Sequence, residues 1–208
     1  MTDGRLARGE RTRAAVLHRA ADIASVDGLD GLSIGRLAAD LAVSKAGVFA
    51  HFGSKEELQL ATIRAAVDRF VAEVVAPALD APDGIERLVA LCDRWLTYSR
   101  TGVFPGGCFF FSVAAEYDAR PGRVRDAIAA ARRAWLGAYE SVIGEAQRRG
   151  ELDPDVDPAA LAFEIDALGM AANLHAQLCD EPGAYDRARA AITARLRALA
   201  TSPHPALR

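Results

Sequence analysis

Lysine is nearly absent from this chain of 208 residues: only Lys45 and Lys55 occur, and arginine supplies the remaining positive charge. Aromatic residues are modest in number, at 7% of the sequence. The three cysteines, Cys92, Cys108 and Cys179, are odd in number and widely spaced. They fit neither a disulfide framework nor a zinc site, and read as reduced thiols, with redox sensing at Cys108 the alternative. No His, Cys, Asp or Glu set has metal-ligand spacing, no glycine-rich phosphate loop occurs, and no cofactor is called for. No apolar run is long enough to span a bilayer, which excludes a membrane helix. The N-terminus is polar and arginine-rich, without the apolar core of a signal peptide, so a cytoplasmic location is expected. Strand-like alternation, internal repeats and low-complexity segments are missing too, which leaves an all-α chain.

Net charge is −3, but it is unevenly spread. Residues 1–55 hold eight Lys or Arg against six Asp or Glu, whereas the remainder holds 17 against 22. Arg5, Arg8, Arg11, Arg13 and Arg19 make the first 20 residues a basic arm that can reach a phosphate backbone.

The segment Leu32–Lys55, LSIGRLAADLAVSKAGVFAHFGSK, is the most informative. Ile34, Leu37, Ala38 and Leu41 recur at helical spacing, and Val43, Val48 and Phe52 supply the buried side of the turn and of a second helix. Between Leu41 and Ser44 there is room only for a tight turn, so the two helices must cross steeply as a helix-turn-helix. Ser44 is a good N-cap for the second helix. That helix shows Lys45, Ala46, Gly47, Phe49, Ala50 and His51 to solvent, a slim face that can enter a DNA major groove. Upstream, a helix is expected from Thr12 to about Asp27 with Val16, Leu17, Ala20, Ile23 and Ala24 inward and Gly28 just past its end. Downstream, Ser54-Lys55-Glu56-Glu57 fits a capping box and launches a helix towards Ala76, with Pro77 interrupting the pattern.

Val43-Ser44-Lys45, Phe49-Ala50-His51-Phe52 and Ser54-Lys55-Glu56-Glu57-Leu58 together resemble the DNA-binding domain of the TetR family of bacterial transcriptional regulators. The resemblance covers Thr12 to Leu60. It implies a three-helix DNA-binding domain in residues 1–55 and an all-helical ligand-binding and dimerisation domain in 56–208. It implies that Lys55 contacts a DNA phosphate. The expected DNA surface is Arg13, Ser33, Arg36, Ser44, Lys45, Ala46, Gly47, Phe49, His51 and Lys55. Three departures are visible. Ala42 stands where the family often has a turn glycine, at a cost of about 1 kcal/mol if φ there is positive. Phe49 replaces a usual tyrosine and cannot donate a hydroxyl to phosphate. Gly47 weakens the reading helix.

The rest reads as helices over 84–100, a short apolar piece within 104–117, and helices over 121–149, 158–178 and 184–200. Val124, Ile128, Ala131, Trp135, Ala138 and Val142 form the expected stripe of the long central helix. Ala188, Ile192, Arg195 and Leu199 form that of the last, and the tail 201–208 is expected to fray. The resemblance implies that the last two helices pair with a second subunit in a four-helix bundle. Leu161, Ile165, Leu168, Ala172, Ile192 and Leu199 are the expected interface. A dimer is also required mechanically, because one reading helix covers only a few base pairs. Trp95, Tyr98, Phe109, Phe110, Asp166, Met170 and Asn173 are the expected effector contacts, which points to an apolar or aromatic small molecule.

The function expected is that of a ligand-responsive repressor on a palindromic duplex operator, working as a homodimer and not as an enzyme. One alternative is a small helical enzyme using Cys108, or Glu116, Asp118 and His175. The other is an interaction module with a degenerate helix-turn-helix.

Overall fold

Helix-forming sequence punctuated by caps and glycines yields helices and no strand among the described residues, apart from one isolated bridge, Leu152 to Ala200. The computed structural model describes residues 3–208, with side chains from residue 7 onward. The helices are α1 (Asp3–Asp27), α2 (Ile34–Asp40), α3 (Lys45–Phe52), α4 (Lys55–Phe70), α5 (Ile85–Arg100), α6 (Phe109–Tyr117), α7 (Arg123–Arg148), α8 (Pro158–Leu178) and α9 (Ala184–Leu199). None of the described helices is long and apolar enough to cross a membrane.

The helix ends follow local chemistry. Ser33 and Ser44 cap α2 and α3 through their hydroxyls, and Asp157 caps α8 ahead of Pro158. Gly28 and Gly150 take positive φ just past α1 and α7. Beyond α4, Val71–Val75 winds as a π-type stretch into a short turn, Ala76–Ala78. Pro77 lacks an N–H and its ring crowds the preceding turn, so the backbone shifts register here rather than stopping.

The chain divides into two compact units. One comprises residues up to Arg69 with Phe104–Ala130, the other Phe70–Val103 with Ala131–Arg208. The core of the first holds Val16, Leu17, Ala20, Ile23, Ala24, Leu37, Ala38, Val48 and Phe52, all buried as the periodicity predicts. The core of the second gathers Leu88, Leu91, Leu96, Tyr139, Ile143, Leu161, Ile165, Ala172, Ile192 and Leu196.

Four expectations need correction. Helix α1 begins well before Thr12, whose hydroxyl donates to the Arg8 carbonyl at 3.0 Å instead of capping a helix. The buried side of α7 passes from Val124 and Ile128 to Tyr139, Ile143 and Ala146, while Ala138 and Val142 are only half-buried. On α9, Leu196 is buried, whereas Arg195 is exposed and pairs with Glu164 at 2.7 Å. The tail is docked: Leu207 joins the core, its carbonyl accepts from Arg197 Nε at 2.9 Å, and the Thr201 hydroxyl donates to Gly150 O at 2.6 Å.

Candidate nucleic-acid interface

The reading head is built from α1, α2 and α3. Helix α2 closes with the Val43 N–H donating to Ala38 O at 3.0 Å, around Ala42 at φ 53°. This is the glycine-type helix ending with alanine at the left-handed position, a strain of about 1 kcal/mol. The turn then delivers Ser44, whose Oγ accepts from Gly47 N at 3.0 Å and fixes the start of α3. Val48 and Phe52 anchor α3 inward, and Gly53 at φ 74° ends it.

What α3 leaves outside matches the expected face. Ser44, Lys45, Ala46, Phe49 and Ala50 are exposed, Gly47 and His51 are half-buried, and Phe49 keeps 54% of its surface open to solvent. The Phe49 ring thus belongs to the surface of α3 and not to the core. Lys45 lies along Gly35 of α2, where an added Cβ would sit 3.5 Å from its Cε. Ser33 is exposed and caps α2, accepting from Arg36 N at 3.1 Å. Arg36 pairs with Asp27 at 2.5 Å, and Arg13 is exposed with its guanidinium 5.6 Å from the Phe52 ring centroid. Of the basic N-terminal arm, Arg5 lies outside the described side chains, whereas Arg8 and Arg11 are exposed on α1.

Lys55 is engaged within the chain. Its Nζ donates to Asp30 O at 2.7 Å and lies 3.9 Å from the Asp30 carboxylate, with half of the side chain exposed. Asp30 is the centre of a network that sequence reasoning missed. Arg120 Nη1 donates to its Oδ2 at 2.5 Å and the Tyr117 hydroxyl to its Oδ1 at 3.0 Å. These bonds, Arg120 first, hold the carboxyl below its usual range. Next to it, the Glu116 carboxylate accepts from the N–H groups of Leu29 and Asp30 at 2.7 and 2.8 Å. Gly28 leaves that approach open, since a Cβ there would collide with Glu116 Oε2. Gln59 donates to Leu29 O at 3.0 Å. The α1–α2 turn is therefore clamped from α4 and α6, and the reading head is braced rather than free-standing.

The expected effector contacts fall in different units. Trp95, Tyr98, Asp166, Met170 and Asn173 belong to the unit of α5, α8 and α9. Phe109 and Phe110 belong to the reading-head unit, where Phe109 packs on Phe104 with ring centroids 5.5 Å apart. Phe70 meets Tyr98 and Trp135 at ring centroid separations of 5.2 and 4.8 Å. Arg132 reaches both Asp166 and Met170, a partnership no short-range pattern announces. Asn173 Oδ1 accepts from the Tyr185 hydroxyl at 3.3 Å. Of the expected dimer contacts, Leu161, Ile165, Ala172 and Ile192 are buried in the chain's own core, and Leu168 and Leu199 are half-buried. Helical spacing identifies an apolar face but not whether the same chain or another covers it.

Cys92 is buried, and burial pushes its thiol up to about 12, so it is inert. No group of His, Cys, Asp and Glu capable of holding a metal occurs among the described residues.

Comparison with known proteins agrees with this architecture. The family model for bacterial regulatory proteins of the tetR family matches residues 16–62, and that for the tetracyclin repressor-like C-terminal domain matches 84–192. A TetR transcriptional regulator from Chloroflexus aurantiacus J-10-fl superposes with a TM-score of 0.86 at 24% identity, covering 93% of this chain and 98% of the other. A TetR-family regulator from Cytophaga hutchinsonii gives 0.84 at 20% identity, with 94% and 98% covered. AibR, solved with isovaleryl coenzyme A and operator DNA, gives 0.66 at 23% identity, with 91% and 97% covered. No curated protein matches. These structures establish the fold, and the two family models span most of the sequence. Regulators of this kind are transcription factors rather than enzymes, which sets aside Cys108, Glu116, Asp118 and His175 as reacting groups. The chain belongs to the TetR family of bacterial transcriptional regulators, with a helix-turn-helix DNA-binding domain followed by a tetracyclin repressor-like C-terminal domain.

Proposed function

We propose that this regulator is a cytoplasmic repressor that binds a palindromic operator as a homodimer and leaves it when a small-molecule effector occupies the C-terminal domain. The observation that carries the reading is the outer face of α3. It is capped, slim and cationic at its start, and it holds Phe49 open to solvent. In this reading Lys45 and Lys55 meet phosphates, with Lys55 exchanging its bond to Asp30 O for one to DNA. Ser44, Ala46, Gly47, Phe49 and His51 approach base edges and sugars, flanked by Arg13, Ser33 and Arg36. Residues 1–55 carry DNA recognition, and 56–208 carry effector binding and dimerisation.

The dimer face is the side of α8 that the core leaves bare. Ala160, Phe163, Ala167, Ala171, Leu174 and Leu178 recur at helical spacing and are all exposed, with Phe163 at 65% and Leu178 at 75%. On α9, Ala190, Ala191, Ala194 and Ala198 are likewise exposed. A contiguous apolar stripe of this kind calls for a partner. Pairing of these helices would set the gap between two reading heads, which must match about one DNA turn, ~34–36 Å. An effector shifts that gap only through different affinities for two states. AibR, a structural neighbour solved with both isovaleryl coenzyme A and operator DNA, supports the general scheme.

The test is a gel shift with DNA from upstream of the protein's own gene. Saturable binding that resists competitor DNA at moderate salt is expected. Binding no tighter than to random duplex would overturn the reading.

A further inference from the structure

The unit containing α5, α8 and α9 holds a buried carboxylate that DNA recognition leaves unexplained. Asp166 on α8 is 2% exposed, and its Oδ2 accepts from Arg132 Nη2 on α7. Its other oxygen, Oδ1, has no hydrogen-bond partner, and neither has the indole N–H of Trp135. The indole lies near enough to favour the carboxylate, yet the two atoms do not meet in bonding geometry. Burial pushes the Asp166 carboxyl above its usual range, and the Arg132 guanidinium pulls it back. Arg132 also donates to Met170 Sδ at 3.1 Å, while 35% of its side chain stays in solvent.

Aromatic rings stand around this pair. Trp135 meets Phe70, Trp95 and Tyr139 at centroid separations of 4.8, 5.7 and 4.4 Å, each edge to face. Gly169, three residues on from Asp166, lets the Trp95 ring rest directly on the α8 backbone. Trp135 itself is half-buried, as is Arg132.

We propose that Asp166 anchors the cationic head of a planar aromatic effector and that Arg132 holds this place until the effector arrives. The inference rests on the effector-responsive reading and names the chemical class. An anionic effector would have to draw Arg132 away and leave Asp166 buried and unpaired, which is strongly destabilising. A neutral one could donate an N–H to Oδ1 but would leave the buried carboxylate charge unbalanced once Arg132 moves away. An amidinium-like head keeps the charge balanced and supplies two parallel N–H groups, matching both carboxylate oxygens. The surrounding rings favour a cation at their faces, and an aromatic body on the cation would pack on their edges. Arg132 keeps 35% of its side chain in solvent, so its guanidinium can move outward once another cation balances Asp166. Release also unties α7 from α8, which gives the two states different affinities for the effector.

Three matched probes test this on the full chain: naphthalene-2-carboxamidine, naphthalene-2-carboxamide and 2-naphthoate, followed by tryptophan fluorescence and thermal shift. The amidine is expected to bind at least tenfold tighter than either of the others. Asp166→Asn removes that preference. Arg132→Ala lowers the melting temperature of the free protein, and the amidine recovers more of it than it adds to wild type. Equal affinities, or tightest binding of the naphthoate with loss in Arg132→Ala, would overturn the proposal. If Asp166→Asn does not fold, the Arg132→Ala arm decides alone, and absence of recovery overturns it. DNA binding is scored separately by gel shift. Intact DNA binding without charge preference sinks the cation proposal only, and amidine preference in a chain that binds no DNA sinks the repressor reading only.

Discussion

At the residue scale, Ala42 and Gly169 show one steric rule from opposite sides. Ala42 carries a Cβ where the backbone, at φ 53°, favours glycine. Gly169 lacks one where none would fit: a Cβ there would run into ring carbons Cζ3, Cη2 and Cε3 of Trp95. Neither the ring nor the helix backbone can give way cheaply in a packed interior. Gly169→Ala is therefore expected to cost about 1–3 kcal/mol by overpacking, although alanine is the better helix former. A urea midpoint equal to or above that of wild type would show that Trp95 can move aside. Asp30 gives a pH dependence. Arg120 and then Tyr117 hold its folded carboxyl below the ordinary value of 3.8. A depressed carboxyl contributes stability above that ordinary value and loses it as pH falls through the folded one. Wild type should exceed Asp30→Asn in urea midpoint at pH well above 3.8, and the gap should shrink as pH falls below 3.8. A gap independent of pH would mean that the carboxylate charge is not what holds the turn.

At the element scale, α3 is short and contains Gly47, so its start depends on its cap. Ser44→Ala removes the acceptor of the Gly47 N–H and should cost about 1 kcal/mol. Val48 and Phe52 still pin the rest of the helix inward, so the loss should fall mainly on operator affinity. A gel shift with undiminished affinity would place recognition elsewhere. The same element explains what is legible in the sequence. A cap, a turn and two inward residues all lie close together along the chain, so local chemistry decides α3 and its outward face. The stripe of α9 is misread at Arg195, with Leu196 buried in its place, because an alanine-rich helix has weak contrast between its faces. The tail reads as frayed because nothing local reveals that Leu207 finds the core. Arg132 and Asp166 are 34 residues apart, and arginine is ordinarily a surface residue, so their pairing has no sequence signature. The same holds for Glu116, 86 and 87 residues from the backbone it clamps.

At the scale of the whole molecule, the bare face of α8 and the reading face of α3 make one linked prediction. Phe163 and Leu178 are among the most exposed large apolar side chains, so charging them disturbs no core. Phe163→Glu combined with Leu178→Glu should give a folded chain, with a far-ultraviolet circular dichroism spectrum like wild type, that elutes as a monomer in light-scattering chromatography. Two half-sites read by linked heads gain from effective concentration, and this gain is lost when the link is cut. The double variant should therefore bind a palindromic operator at least a hundredfold more weakly, with its salt slope reduced, because fewer phosphates are neutralised per binding event. Its affinity for an isolated half-site should stay at the wild-type level, since Ser44, Lys45 and Phe49 are untouched. If the variant stays dimeric, the apolar stripe is not the interface. If it becomes monomeric yet keeps full operator affinity, the reading heads act singly and the spacing mechanism fails.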